Sequence, residues 1–362
     1  MNWVHKDFQL NGHSFSSAEE LMLFSEDISE SLSRFLKDWF SKDDFLIVKT
    51  SGSTGTPKNI QLKKEYMRNS ARATGEYFDI QEKTTALCCL PIEYIAGKMM
   101  MVRAMVLGWH MDIVEPSSNP IENIDKAYDF SAMVPLQLRN SLDKIDSIEQ
   151  LIVGGGVVSV ELQEMIRDLS TKIYATYGMT ETITHIAVKP LNRSCQSELV
   201  SESHYQTLPN VSISTDNRNC LVIKAPKVSD ETITTNDVVE LISDTEFIWK
   251  GRHDNVINSG GIKLHPEEIE RKLSPYIKQR FFVAGLPDEK LGEKLVLVIE
   301  SNKTDSKSNG HTEPVEVQIQ NHLGDVLNKF ETPKHIFFTD AFIETPTQKI
   351  QRSKTLEKVL AN

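Results

Sequence analysis

Between residues 85 and 177, short apolar runs take turns with stretches whose apolar residues recur at helical spacing. The runs 85–91, 109–114, 150–153 and 172–177 read as strands, and 97–107, 135–142 and 159–169 read as helices between them. Such alternation is the pattern of an α/β chain, because neighbouring parallel strands are joined by crossovers that a helix fills. Ligands of such sheets gather at the carboxyl ends of the strands. After about residue 194 the period shortens to two, as in Val211-Ser212-Ile213-Ser214 and Cys220-Leu221-Val222-Ile223-Lys224. That implies an additional antiparallel sheet or barrel region. A polar, glycine-bearing stretch at 250–254 reads as a hinge, dividing a large amino-terminal domain (1–250) from a small mobile α+β domain (251–362). The second part shows helices around 266–273 and 315–326, strands at 281–283 and 294–299, and a polar loop at 304–313.

Composition removes several function classes. With 362 residues, 39% of them hydrophobic, the chain can bury a substantial core, and no apolar run approaches the roughly 18 residues of a membrane span. A formal charge of −11 argues against nucleic acid as a partner, since phosphate-backbone affinity rests on clustered Lys and Arg. Cys88, Cys89, Cys195 and Cys220 show no paired metal spacing and fit reduced thiols. The start lacks the basic-then-apolar order of a signal peptide, so a cytoplasmic location is expected. A homo-oligomer is left open.

The run Thr50-Ser51-Gly52-Ser53-Thr54-Gly55-Thr56-Pro57-Lys58 concentrates hydroxyls, glycines and a cation between two apolar strand-like segments, 45–48 and 59–62, with a helix following over 63–78. Glycine lets backbone N–H groups approach an anion, hydroxyls add donors, and Lys58 supplies a point charge. The order is not that of a Walker loop, because Pro57 precedes Lys58 and Asn59 follows it. Other segments place chemistry at strand ends. Tyr177-Gly178-Met179-Thr180-Glu181-Thr182 follows a strand, Gly154-Gly155-Gly156 leads from a strand towards a helix, and Asp237 stands in a turn-like stretch. Each of these, taken alone, is also what an ordinary turn looks like.

Together they resemble the adenylate-forming superfamily, the acyl-CoA synthetases, peptide-synthetase adenylation domains and luciferases. The stretch from Gly251-Arg252-His253-Asp254 through Gly260-Gly261-Ile262-Lys263 to Glu270 is similar to that family's hinge signature, and Lys349-Ile350-Gln351-Arg352 is similar to its lysine loop. The resemblance implies that residues 50–55 and Lys58 hold phosphate, and that Tyr177 lies against adenine. It implies that Gly154, Gly155 and Gly156 line the adenine and acyl pockets, that Gly178 belongs to the nucleotide site, and that Thr180 and Glu181 are catalytic, Thr180 at the α-phosphate and Glu181 as a ligand of Mg2+. Asp237 would accept the ribose hydroxyls, Arg252 and Lys263 would contact ribose or phosphate, and Asp254 would be the pivot. Gly260 and Gly261 would face the thiol of CoA, and Lys349 would neutralise charge during adenylation. Asn236 and Gln348 stand where the family carries glycine, and the 49 residues before Thr50 are fewer than the family's usual amino-terminal segment.

The implied reaction joins a small-molecule carboxylic acid to CoA at the expense of ATP. Pro91-Ile92-Glu93-Tyr94-Ile95-Ala96-Gly97 resembles the acyl-pocket motif, with Tyr94 as an aromatic gate beside Gly97. Residues 133–139 and 182–187 resemble most the o-succinylbenzoate:CoA ligases of menaquinone synthesis, and Gln137, Arg139 or His185 would meet a second carboxylate. Loading of a carrier protein in place of CoA, and a non-catalytic nucleotide-binding role, are the alternatives.

Overall fold

A computed structural model describes residues 4–49, 59–195, 204–301, 323, 326–345 and 350–361. The phosphate-grip residues Thr50 to Lys58, the Gln348-Lys349 pair, the 304–313 loop and most of the 315–326 helix lie outside the described residues. The alternating segments build one half of a 12-stranded sheet. In spatial order, Gln9–Leu10, His110–Ile113, Thr85–Cys88, Tyr128–Met133, Ile148–Val153 and Lys172–Gly178 run parallel to one another. Gln9–Leu10 and Tyr128–Met133 are not revealed by the apolar pattern, and the second is the longer. Two polar side chains interrupt it: Ser131 is buried with its hydroxyl donating to the Leu87 carbonyl, and Asp129 accepts from Thr85.

Lys172–Gly178 is followed by a turn that sends the chain back beside it as His185–Pro190, and from there every pairing is antiparallel. Tyr205–Thr207, Glu246–Arg252, Ile233–Leu241, Cys220–Lys224 and Ser212–Thr215 complete the sheet in that order. The expected antiparallel region therefore forms, hydrogen-bonded edge to edge with the parallel half instead of standing apart. Two helices cover the junction. Lys64–Phe78 ends at Asp79 in the left-handed conformation, and Ile95–Leu107 ends at Gly108 (φ 74°), a residue type that takes such a cap without strain. The second helix is apolar nearly all round, with Met99, Met100, Met101 and Val102 fully buried, as expected of a helix enclosed by core.

Phe45–Lys49 and Asn59–Lys63 pair as a separate two-stranded hairpin, in register from Phe45↔Lys63 to Lys49↔Asn59. This hairpin is the frame of the expected phosphate loop. The smaller carboxy-terminal α+β region is a five-stranded sheet of Ile257–Ser259, Ile262–Leu264, Phe281–Asp288, Gly292–Glu300 and His335–Thr339. Helix Pro266–Leu273 starts with Pro and two acids, which suit the first turn, and packs Ile269 and Leu273 into a core of its own with Leu295 and Leu297. Among the described residues, no helix is long and apolar enough to cross a membrane.

Candidate functional site

The parallel strands end together, and the glycines there are required by close contacts. A Cβ on Gly154 would lie 2.5 Å from Oγ1 of Thr176, and one on Gly178 would lie 2.2 Å from the Thr184 carbonyl oxygen. Gly155 has φ +79°, which excludes most side chains. The Gly154 N–H donates to the Met133 carbonyl, so this turn is tied to the neighbouring strand. Beyond Gly178 the chain makes a 3-10 turn at Thr180–Thr182, with Glu181 exposed and Thr182 buried. No cluster of three or more metal-ligating side chains occurs among the described residues, so a metal at this end would depend on Glu181 together with oxygens of a bound substrate. Mg2+ commonly binds that way.

Tyr177 leads from this strand end into the antiparallel half. Its hydroxyl donates to Oδ2 of Asp237 at 2.8 Å, and its ring meets Phe247 and Tyr205 edge-on at 5.2 and 5.8 Å. Burial, and after it the Asp237 carboxylate, raise the phenol well above its ordinary range, so it remains a donor at every physiological pH. Asp237 is buried and also accepts from Nε1 of Trp249 at 3.1 Å, with Nη1 of Arg252 at 3.9 Å. Arg252 donates through Nη2 to Asp254 at 2.9 Å. Asn236, where the resembled family has glycine, donates to the same Asp254 oxygen at 3.4 Å and accepts from Arg218 at 3.0 Å. The structure thus gathers Tyr177, Asp237, Arg252 and Asp254 into one polar cluster.

The expected hinge stretch makes close contacts too. Gly251 has φ +140°, and a Cβ there would fall 2.3 Å from Oε2 of Glu267 on the following helix. Gly260 and Gly261, at φ +59° and +84°, form the two-residue turn between Ile257–Ser259 and Ile262–Leu264, the geometry that asks for positive φ at both positions. Lys263 is exposed on the second of these strands. Arg352, three residues beyond Lys349, is held by Glu270 at 2.8 Å, Glu267 at 3.6 Å and the Val283 carbonyl at 3.1 Å. Burial raises the Glu270 carboxyl to about 7, against the opposing pull of Arg352.

The residues expected to meet the acid lie on several elements. Tyr94, 43% exposed, precedes helix Ile95–Leu107, and Gly97 lets that helix rest on the Pro91 backbone, where a Cβ would come within 2.3 Å of the carbonyl oxygen. Gln137 is buried with its amide committed: it donates to the carbonyls of Cys89 and Ser117 and accepts from the Val134 N–H. Arg139 forms an exposed ion pair with Glu161 at 2.9 Å. Both therefore have structural partners in this conformation. His185 is different. It is buried beside Arg103, whose Nη2 lies 3.3 Å from Nδ1, while Nε2 lies 3.4 Å from Oγ1 of Thr74. A guanidinium can only donate, so Nδ1 accepts and the ring is neutral with its proton on Nε2. Burial first, and Arg103 second, hold its pKa well below the ordinary value.

Arg103 is the residue that sequence reasoning passed over. It is 2% exposed in the middle of an apolar helix, donates also to Thr74 Oγ1 at 3.2 Å, and has no carboxylate partner among the described residues. Burial lowers its guanidinium to about 10. The available signal was a single arginine inside the run Met99-Met100-Met101-Val102-Arg103-Ala104-Met105. Trp249 was passed over as well, because its bond to Asp237 depends on strand register.

Residues 5–214 match the family model described as AMP-binding enzyme. A 2-succinylbenzoate–CoA ligase of Staphylococcus aureus (strain MSSA476) is 28% identical over 355 residues, covering 90% of this chain and 69% of the relative. An acyl-CoA synthetase (AMP-forming)/AMP-acid ligase II-like protein from Dyadobacter fermentans has 36% identity and a TM-score of 0.59, covering 91% of this chain and 95% of that one. The o-succinylbenzoate CoA synthetase of Bacillus subtilis, solved with its acyl-adenylate intermediate, has 20% identity and a TM-score of 0.70 over 85% of this chain and 68% of that one. That last likeness is one of fold.

Proposed function

The chain belongs to the AMP-binding enzyme family, and from that premise we propose that it is an AMP-forming acid:CoA ligase whose acid is o-succinylbenzoate, an aromatic diacid used in menaquinone biosynthesis. In the first half-reaction a carboxylate oxygen attacks the α-phosphorus of ATP, and the bond to the bridging oxygen breaks with release of pyrophosphate. In the second, the thiolate of CoA attacks the acyl carbon and AMP leaves with the electron pair of the C–O bond. Adenylation replaces a poor leaving group with a good one, and holding both reactants together supplies much of the rate.

The polar cluster suits the nucleotide. Asp237 accepts the ribose hydroxyls, Arg252 reaches ribose or phosphate, and Tyr177, anchored by its hydroxyl, offers its ring to adenine beside the glycine turn at 154–156. Thr180 acts at the α-phosphate. Glu181 would hold Mg2+, which supplies charge neutralisation at the phosphates. Residues 50–55 and Lys58 hold the departing pyrophosphate, and Lys349 offsets charge in the adenylation step, with Lys263 a further phosphate contact. Residues 251–362 turn as a domain about Asp254 against 1–250, exchanging Lys349 for the Gly260-Gly261 turn when CoA reacts.

The observation that carries the choice of acid is Arg103. A buried guanidinium without a carboxylate partner is an unfavourable arrangement in a folded chain, and one that the second carboxylate of a diacid relieves. Similarity to 2-succinylbenzoate–CoA ligases supports the same reading. Tyr94 and Gly97 border the route of the acid, and His185, neutral beside Arg103, adds a polar contact. The test is acid-dependent exchange of pyrophosphate into ATP, followed by thioester formation with free CoA, over a panel of o-succinylbenzoate, benzoates and fatty acids. Exchange with o-succinylbenzoate well above the monoacids is expected. No exchange with any acid sinks the enzyme reading, and exchange without a CoA thioester transfers the acceptor role to a carrier protein.

A further inference from the structure

The Asp237 carboxylate is held by a side chain whose placement depends on one inserted residue. In the antiparallel pair of Ile233–Leu241 with Glu246–Arg252, Asp237 faces Arg252 and Val238 faces Gly251, yet Val239 faces Trp249. Lys250 is therefore the extra residue of a β-bulge. Side chains alternate across a strand, so an inserted residue reverses the face of everything on its far side. Trp249 consequently projects on the face that carries Val239 and Asp237, and in a regular ladder it would point the other way. The bulge is fastened by its own lysine, whose Nζ lies 2.8 Å from Glu240 and 3.3 Å from Glu268.

On that shared face the indole Nε1–H donates to Oδ1 of Asp237 at 3.1 Å while the Tyr177 hydroxyl donates to Oδ2 at 2.8 Å. One neutral donor on each oxygen sets the plane of the carboxylate. Each oxygen keeps a further lone pair, so the group can still accept two hydroxyls from a ligand. With Trp249 removed, Asp237 would retain Tyr177 on one side only, and Arg252, 3.9 Å from Oδ1, would be the nearest group able to turn it.

We propose that Trp249 is a positioning residue for ribose recognition: it fixes the orientation in which Asp237 accepts the two ribose hydroxyls of ATP, and the Lys250 bulge brings it there. The inference rests on the assignment of Asp237 to the ribose made above.

The experiment is calorimetric titration of the full chain, wild type and Trp249→Phe, with ATP and with 2′,3′-dideoxy-ATP. It needs no acid and no turnover. The wild type is expected to prefer ATP by more than tenfold. Trp249→Phe is expected to lose about tenfold in affinity for ATP, the scale of one hydrogen bond to a charged acceptor, and to bind the dideoxy nucleotide as the wild type does. Equal losses for both nucleotides overturn the proposal, because a packing role would not distinguish them. A wild type that binds both nucleotides alike overturns the ribose assignment itself, whatever the variant does. Should circular dichroism show that Trp249→Phe does not fold, Trp249→Met, which fills the space without an N–H, carries the same comparison.

Discussion

Replacing Arg103 by methionine separates a charge kept for a ligand from a charge kept for the fold. The guanidinium is 2% exposed, and its hydrogen-bond partners are Thr74, Met100 and His185, all uncharged. Burial takes its pKa from 12.5 down to about 10, which corresponds to about 3 kcal/mol of disfavoured charge at neutral pH. Methionine has a similar reach and carries no charge, so Arg103→Met recovers that amount. Against it stands the loss of the hydrogen bonds, above all the one that leaves Nδ1 of the buried His185 unpaired, about 1–3 kcal/mol. The difference leaves about 0–2 kcal/mol in favour of methionine. Urea unfolding followed by circular dichroism is expected to show a change between about zero and a gain of about 2 kcal/mol, where breaking a buried, carboxylate-paired arginine costs about 3–5 kcal/mol. Pyrophosphate exchange should respond differently. Loss of the proposed contact between Arg103 and the second carboxylate is expected to lower kcat/KM for o-succinylbenzoate by about tenfold to a hundredfold, with little effect on a matched acid lacking that carboxylate. A destabilisation above about 3 kcal/mol, or equal losses for the two acids, would refute the reasoning.

Other positions give independent checks. The depressed pKa of His185 keeps it neutral in the fold while the unfolded chain takes up a proton below about pH 6.5. Its contribution is therefore present above that pH and lost as pH falls, by up to about 1.4 kcal/mol per pH unit; urea midpoints between pH 7 and 5 should show this slope flattened in His185→Gln. Gly178→Ala places a methyl 2.2 Å from a backbone oxygen and should lower stability by about 2 kcal/mol or more, while Gly156→Ala, with its nearest neighbour at 3.6 Å, should change Tm little. Arg352→Met leaves Glu267 and Glu270 without their cation and should cost about 3 kcal/mol. Hydrogen exchange will locate that loss in helix Pro266–Leu273, and uniform loosening of the whole chain would contradict it.

What could be read from linear order follows from what each feature needs. Strands rich in apolar residues were legible, and so were the turns at 154–156, 178 and 260–261, because their backbone demands glycine irrespective of the fold around it. Tyr128–Met133 was hidden because Ser131 and Asp129 are satisfied by a neighbouring strand, which a one-dimensional pattern cannot display. Two of the antiparallel strands, at 211–214 and 220–224, were legible from their period of two, whereas the stretch around Asp237, read as turn-like, is the strand Ile233–Leu241; the union of these strands with the parallel half depends on the sharp turn after Gly178, where Ile183 takes φ +68°. Arg103 and Trp249 escaped for a related reason. One acquires its meaning from the helix face it occupies, the other from a bulge, and neither is encoded by its immediate neighbours. Gln137 and Arg139 drew attention as polar residues near a motif, yet the structure gives them backbone carbonyls and Glu161 as partners.

The long sheet also bears on how copies of this chain meet. Among the described residues the 12-stranded sheet has two outer strands, Gln9–Leu10 and Ser212–Thr215, of two and four residues. Asn11 and Gly12, both at positive φ, turn the chain away directly after the first, and Asn210, at φ +65°, bends it before the second. Each rim thus offers few unpaired N–H and C=O groups as a template for an added strand. Aggregation by strand addition along the main sheet is therefore disfavoured at both of these edges.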